Sequence, residues 1–200
     1  MSSPLSRDAA WSLLSEWVQS ESLRRHCLAV EASMVAYAEA AQPPVDVEAW
    51  AVAGLLHDAD YERHPDMEAD DGHPRTILAE LRNREADPEI IAAIAGHADF
   101  MGVARETPMA RTLYAVDELS GFVVACAQVR PEGLSGMTPK SVKKKLKTPA
   151  FAAAVNREDV RRGAEELGVD LDAHIATVIA ALDACAGTLG LQGSGATEAR

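Results

Sequence analysis

Four histidines and two aspartates of this 200-residue chain have the side chains and the spacing to bind a metal ion. Two of the six are adjacent, because Asp58 follows His57 at the end of the apolar segment 51–56. His57 shares a helix face with Trp50 and Ala53, which points its imidazole ring towards the interior. Imidazole and carboxylate ligands together suit Mn, Fe, Co, Ni or Zn and leave positions open for water and substrate.

The other four residues are expected on the apolar faces of four further helices. His26 lies one turn after Leu23, while His73 and His97 share helix faces with isoleucines. Asp117 is in the middle of a long apolar helix, where an isolated buried carboxylate would be strongly destabilising. A single histidine on an apolar face is commonly a hydrogen-bonded core residue. A shared metal site explains all of these side chains at once, so the sequence predicts that they converge.

Helix signals cover nearly the whole chain. Aromatic residues make up only 4% of the sequence and β-branched runs are scarce, which favours packed helices over a sheet. After a first amphipathic helix, capping residues or prolines predict helix starts near Ser20, Asp46, Gly72, Asp87, Thr107, Thr138, Thr148 and Asp170.

The predicted fold class is therefore all-α. A single helical domain is expected over residues 1–190, with its core at about 22–128 and additional C-terminal helices at about 138–187. The glycine-rich and serine-rich residues 191–200 predict a flexible tail.

The order of these residues resembles the H…HD…D signature of the HD superfamily. His26 comes first, His57 and Asp58 follow within Gly-Leu-Leu-His-Asp-Ala-Asp, and Asp117 lies within Ala-Val-Asp-Glu-Leu. The resemblance covers residues 22–128. It implies an all-α bundle in which these four side chains bind a divalent metal, and members of the superfamily are mostly phosphohydrolases.

His73 and His97 are similar to the two additional histidines of dinuclear HD proteins. The resemblance then implies a second metal ion, with Asp58 bridging the two. The same richer pattern occurs in phosphodiesterases and in a smaller branch of di-iron oxygenases. Two alternatives to a phosphohydrolase therefore stay open, a di-iron oxygenase and a non-catalytic metal-binding or sensor module.

The leading hypothesis is a metal-dependent phosphohydrolase acting on a small phosphorylated metabolite or nucleotide. Asp58, Asp60 and Glu62 are candidate catalytic acids, the last two as a general base or as partners that orient water. The segment 130–162 has nine Lys or Arg against three acids. Its candidate phosphate contacts are Lys140, Lys143, Lys144 and Arg157, although a plain solvated helix is the alternative for them. The resemblance names no substrate, since the Gly-Tyr-Pro extension of cyclic-dinucleotide phosphodiesterases is absent.

Composition excludes several other classes of protein. The net charge of −12 argues against a general nucleic-acid binder, which needs a basic footprint. No apolar run reaches the length of a membrane span, and the first residues lack the pattern of a signal peptide, so a cytoplasmic location is expected. Cys27, Cys126 and Cys185 form no C-x-x-C pair, which predicts buried free thiols and excludes a cysteine-based zinc site.

Overall fold

Short polar side chains set most of the helix boundaries. The side chains of Ser6, Ser20, Asp46, Asp87, Thr107, Thr138, Asn156 and Asp170 each accept a hydrogen bond from a backbone N–H in the first turn of the following helix. Each bond satisfies an N–H group that the helix itself leaves without an acceptor. Pro88, Pro108 and Pro139 occupy the first positions of three of these helices, where proline costs no hydrogen bond.

The computed structural model describes residues 5–193, and that range contains ten α-helices. They are α1 (Arg7–Trp17), α2 (Glu21–Ala40), α3 (Val47–Leu56), α4 (Arg75–Asn83), α5 (Pro88–His97), α6 (Pro108–Gln128), α7 (Pro139–Leu146), α8 (Arg157–Leu167), α9 (Leu171–Ala184) and α10 (Ala186–Leu189). One 3-10 turn, Asp99–Met101, follows α5. No strand occurs in the described range, apart from an isolated bridge between Gly133 and Gln192. The predicted all-α fold is confirmed.

The helix predicted to start at Thr148 is wrong. Residues 148–155 form turns instead, and α8 begins only at Arg157. The guanidinium group of Arg157 donates to the carbonyl oxygens of Ala152 and Phe151, and Ala152 has a left-handed φ of 44°. The left-handed φ of Ala152 interrupts a right-handed helix, and the contacts of the guanidinium group stabilise the turns that form instead.

Two smaller predictions also need correction. The helix α4 begins at Arg75, so Pro74 precedes it rather than taking its first position. Leu191 is buried, and its carbonyl oxygen accepts a hydrogen bond from the N–H of Leu134, so the beginning of the predicted tail packs on the bundle. The rest of that predicted tail, 194–200, lies outside the described residues.

The helices α2 and α6 form the centre of the bundle. The helix α2 packs against α3, α6 and α9, and α6 also contacts α5 and α8. A close approach to α2 involves Gly54 of α3, where a Cβ atom would lie only 2.9 Å from the Cα of Glu31 and 3.0 Å from the Cγ of Met34. Any larger residue at position 54 would push α3 away from α2.

Among the described residues, no helix is both long enough and apolar enough to cross a bilayer.

A buried histidine connects three helices. The Nε2 atom of His174 lies 2.9 Å from the carbonyl oxygen of Ala115, so it carries the proton and donates. The other ring nitrogen, Nδ1, lies 2.6 Å from the hydroxyl of Tyr37 and accepts its hydrogen bond. The neutral ring thus satisfies both partners, and burial lowers the pKa of His174 from its ordinary value of 6.5.

Protonation of His174 should therefore destabilise the fold. Because its pKa is lower in the folded state, its contribution is complete above pH 6.5 and is lost as the pH falls below that value. The free energy of unfolding should fall by up to about 1.4 kcal/mol per pH unit from this group alone. Urea titrations at pH 7.5 and 5.5 would measure it, and the loss should be smaller in His174→Gln. An equal loss in both proteins would rule out His174 as the cause.

Candidate metal centre

Six side chains from five parts of the bundle meet at one place. They are His26 in the second turn of α2, His57 and Asp58 directly after α3, His73 just before α4, His97 at the end of α5 and Asp117 in the middle of α6. The apolar face of each segment packs on the core, and each side chain follows that face inwards. The predicted convergence is therefore what the structure shows.

The first group consists of four of these side chains. The Nε2 atom of His26 lies 3.1 Å from the Nε2 of His57 and 3.1 Å from Oδ1 of Asp117. Both imidazole nitrogens lie 3.6 Å from Oδ2 of Asp58. Atoms that share a transition metal at about 2.1 Å lie about 3.0–3.5 Å from one another, so these separations fit one ion.

The second group uses the other oxygen of Asp58. The Nε2 atoms of His73 and His97 lie 3.4 Å and 3.6 Å from Oδ1 of Asp58. The His57 ring touches this group too, with its centroid 5.3 Å from that of His97. The two groups are thus adjacent and share one carboxylate, the arrangement expected when a carboxylate bridges two ions.

The protons of the imidazole rings point away from the cluster. The Nδ1 atom of His57 lies 2.8 Å from the carbonyl oxygen of Gly54, and the Nδ1 of His97 lies 2.5 Å from that of Ile94. A carbonyl oxygen accepts only, so the proton of each neutral ring is on Nδ1. The Nε2 lone pairs of both rings therefore face the carboxylates, which suits a bound cation.

Asp60 fixes the third ring from behind. Its Oδ1 atom lies 2.7 Å from the Nδ1 of His73, and its Oδ2 accepts a hydrogen bond of 2.8 Å from the N–H of Ile77 in α4. Asp60 is fully buried, and both of its oxygens are occupied by protein donors. It can orient His73, but the general-base role considered for it needs correction because neither oxygen reaches the cleft.

The electrostatics of the cluster favour a positive charge. Burial alone would lower the pKa of His57, but the negative charges of Asp58 and Asp117 raise it to about 9. The same interactions keep the pKa of both carboxyl groups below their ordinary values despite burial. With four nitrogens and two carboxylates, the donor set fits a divalent transition metal better than the oxygen-only ligation of calcium or magnesium.

Residues 23–121 match the family model of the HD domain, and all six cluster residues lie inside that range. This segment of the chain is an HD domain. No curated protein and no solved structure matches the chain. HD domains are generally those of metal-dependent hydrolases and bind divalent metals, and the His and Asp cluster of this one is compatible with that property.

Within the described part of the chain, the other candidate residues have no hydrogen bond or ion pair with the cluster of this HD domain, although Glu62 lines a second depression together with His26. The Oε2 atom of Glu62 accepts hydrogen bonds of 2.9 Å from the N–H groups of Gln19 and Ser20, so Glu62 caps the start of α2. The candidate basic residues also lie elsewhere: Lys140, Lys143 and Lys144 line a separate depression on α7. Lys143 pairs with Asp172, and Arg157 binds backbone carbonyl oxygens. None of these residues lines the cleft over the cluster.

A cleft of about 470 Å³ opens above the cluster, and sequence reasoning missed most of its walls. Glu118 is one of them, directly after Asp117. One of its oxygens accepts a hydrogen bond from the N–H of Asn156, and the other has no hydrogen-bond partner among the described residues. Burial and the charge of Asp117 raise the pKa of Glu118 to about 7. In the sequence, only its position after Asp117 could have indicated Glu118 as a site residue. Its burial and its hydrogen bond arise from the packing of residues 148–156 onto α6, which the sequence does not show.

Replacing Asp60 by Asn should weaken the binding of a divalent ion at His73 and His97 by about 10–100-fold. An amide has one acceptor oxygen, so it cannot accept from both His73 and Ile77. A titration of the metal-free protein with Mn²⁺ or Zn²⁺ against a competing chelator would measure both affinities. Glu62→Gln is the matched control and should bind both ions normally. Unchanged affinities in Asp60→Asn would contradict the positioning role.

Proposed function

We propose that this protein is a metal-dependent phosphohydrolase acting on a small phosphorylated metabolite or nucleotide. The observation that carries the proposal is the pair of adjacent ligand groups that share Asp58, with imidazole lone pairs directed at its carboxylate. The match to the HD-domain family supports hydrolytic chemistry in particular. The preference for phosphorus rests on that match, since the same ligand types would also hold a pair of iron ions.

The ligands divide into two sets. His26, His57, Asp58 and Asp117 would hold one divalent ion, and Asp58, His73 and His97 would hold a second. Mn, Fe, Co, Ni or Zn each suit this mixture of nitrogen and oxygen donors. In hydrolytic enzymes such ions supply Lewis acidity at a phosphoryl oxygen and a water whose pKa is lowered.

Two carboxylates of the chain complete the site: Asp60 orients a ligand, and Glu118 faces the cleft. Asp60 holds the His73 ring so that its Nε2 lone pair faces Asp58. Glu118 faces the cleft with one oxygen that no described residue binds, so its carboxyl group lies where it could exchange a proton with water or substrate. We assign to Glu118 the proton-transfer role considered for Asp60 and Glu62.

The wider organisation of the chain follows from its packing. We propose that residues 1–190 form one domain, because α9 packs on α2 and α6, and α8 packs on α6. We also propose that the protein works in the cytoplasm, where its three unpaired cysteines would stay reduced. A small-molecule substrate, rather than nucleic acid, fits the net charge of −12.

Replacing His97 by Ala should lower the bound metal from about two ions per chain to one, because one of its three ligand groups is lost. The fold should survive, as judged by circular dichroism. We expect kcat/KM towards phosphate esters to fall by about 100-fold, a barrier increase of about 2.7 kcal/mol. Metal analysis and phosphatase assays with Mn²⁺, Co²⁺ or Ni²⁺ would measure both. The control is His64→Ala, a loop histidine paired with Asp71 outside the cluster, which should retain two ions.

The dependence on oxygen separates this proposal from an oxygenase. Hydrolysis should proceed at the same rate in air and under argon. Turnover that requires iron and consumes dioxygen would refute the hydrolase.

A further inference from the structure

The mouth of the cleft is apolar, in contrast to its floor. Among the described residues, five large hydrophobic side chains are exposed by more than a third, and three of them line this cleft: Tyr61, Met67 and Phe100. The most exposed of the three is Phe100, at 48%. Single exposed hydrophobic residues are ordinary, but a concentration at one opening marks a surface that binds something.

The backbone of Met67 and the rings of Tyr61 and Phe100 are held by contacts on both sides of the opening. Arg75, at the start of α4, donates a hydrogen bond of 2.6 Å to the carbonyl oxygen of Met67. Its guanidinium carbon also lies 5.6 Å from the ring centroid of Phe100. The Tyr61 ring packs edge-on against His73, with the centroids 5.3 Å apart. The apolar rim is therefore built in the free protein, which reduces the entropy lost when a ligand binds.

The charged residues of the cleft walls disfavour a second anionic group on the ligand. No lysine or arginine lines the cleft within the described part of the chain, whereas Asp99, Glu118 and Asp159 do. Arg162 and Arg105, which both contact Asp99, are also bound to Asp159 and Glu166 respectively, and the guanidinium group of Arg75 lies against the ring of Phe100. A polyphosphate or bisphosphate whose additional charges lay along the wall of Asp99, Glu118 and Asp159 would meet carboxylates there.

The dimensions of the cleft indicate a small molecule rather than a protein surface. Its volume of about 470 Å³ lies in the range typical of small-ligand sites. The rim and the cluster bound the same cavity, since Asp58 and Phe100 both line it. A ligand with its phosphate at the floor would therefore extend its remaining part between Tyr61 and Phe100.

We propose that Tyr61, Met67 and Phe100 bind the alcohol part of the substrate, and that the preferred substrates are phosphate monoesters of an aromatic or apolar alcohol. The inference rests on the proposed phosphohydrolase function and adds its substrate class. In the reaction, the oxygen of water bonds to phosphorus, the ester P–O bond breaks, and the alcohol leaves with a proton from that water.

Binding of two non-hydrolysable probes tests the rim without relying on catalysis. Benzylphosphonate and methylphosphonate carry the same anionic group and differ by a phenyl ring. Calorimetry with the Mn²⁺-loaded protein should give a dissociation constant about tenfold lower for benzylphosphonate, as expected for one ring stacked on aromatic side chains. Equal dissociation constants would overturn the inference.

Variants of the rim assign the preference to particular residues. Phe100→Ala should reduce the benzyl preference to less than about threefold, and Phe100→Tyr should restore it. Val103→Ala is the matched control, because Val103 is exposed to a similar extent but does not line the cleft. Equal losses in the Phe100 and Val103 variants would overturn the inference. So would a concentration-dependent dimer that Phe100→Ala abolishes, since a second copy would then cover the rim.

Hydrolysis of benzyl phosphate and glycerol phosphate, two esters of alkyl alcohols, separates this inference from the proposed function. Equal kcat/KM values would overturn the substrate class and leave the phosphohydrolase intact. No hydrolysis of either ester, together with tight binding of benzylphosphonate, would refute the phosphohydrolase and support the apolar rim.

Discussion

Two carboxylates and four imidazole rings face one another inside this bundle while three of the rings direct their N–H groups to acceptors behind them. The atoms that face one another in the centre are imidazole Nε2 atoms and carboxylate oxygens, and their separations are 3.1–3.6 Å. Such an arrangement is destabilising unless a cation or added protons compensate it. The pKa of about 9 for His57 has the same cause: without a metal ion, the two carboxylates favour a proton on this ring. The five segments that supply these side chains are therefore stabilised together by the charge they enclose.

Two residues, Gly54 and Asp60, fix the backbone around the cluster. Because Gly54 has no Cβ atom, α3 can pack so close to α2 that a Cβ atom at this position would lie 2.9 Å from the Cα of Glu31. The carbonyl oxygen of Gly54 also accepts the hydrogen bond from the Nδ1–H of His57. One residue thus sets both the distance between α2 and α3 and the orientation of a ring between them. Asp60 has a similar double part, because it binds His73 and the first turn of α4. The loop after α3 is consequently fixed to the bundle at the point where it passes the cluster.

Helical periodicity predicted that His26, His97 and Asp117 point inwards, and it indicated His57 directly after the last residue of α3. Asp58, Asp60 and His73 lie in turns, where no helical period applies. Asp58 was found from its place beside His57, and only the returning α4 shows what Asp60 binds. Lys143 and Arg157, two of the candidate phosphate contacts, do not line the cleft above the cluster, for a related reason. A cluster of positive charge in sequence does not state which face of the fold it occupies, and here Lys143 pairs with Asp172. At Thr148, a capping residue followed by proline predicted a helix. Turns form instead, and they are stabilised by Arg157, which lies later in the chain.

The helices beyond residue 121 lie outside the HD domain match, yet they complete its cleft. Ala154 and Asp159 line the opening, and Asn156 binds the carboxylate of Glu118. The matched segment supplies the cluster, the apolar rim and two acidic residues of the wall, Asp99 and Glu118, and the C-terminal segment adds Asp159 and Ala154. The residues of the cluster therefore all lie in the matched segment, whereas the walls of the cleft come from both parts of the chain. A change in the turns at 148–155 would alter the wall around Ala154 and Glu118 without replacing any residue of the cluster, so residues outside the match bear on which ligands fit the cleft.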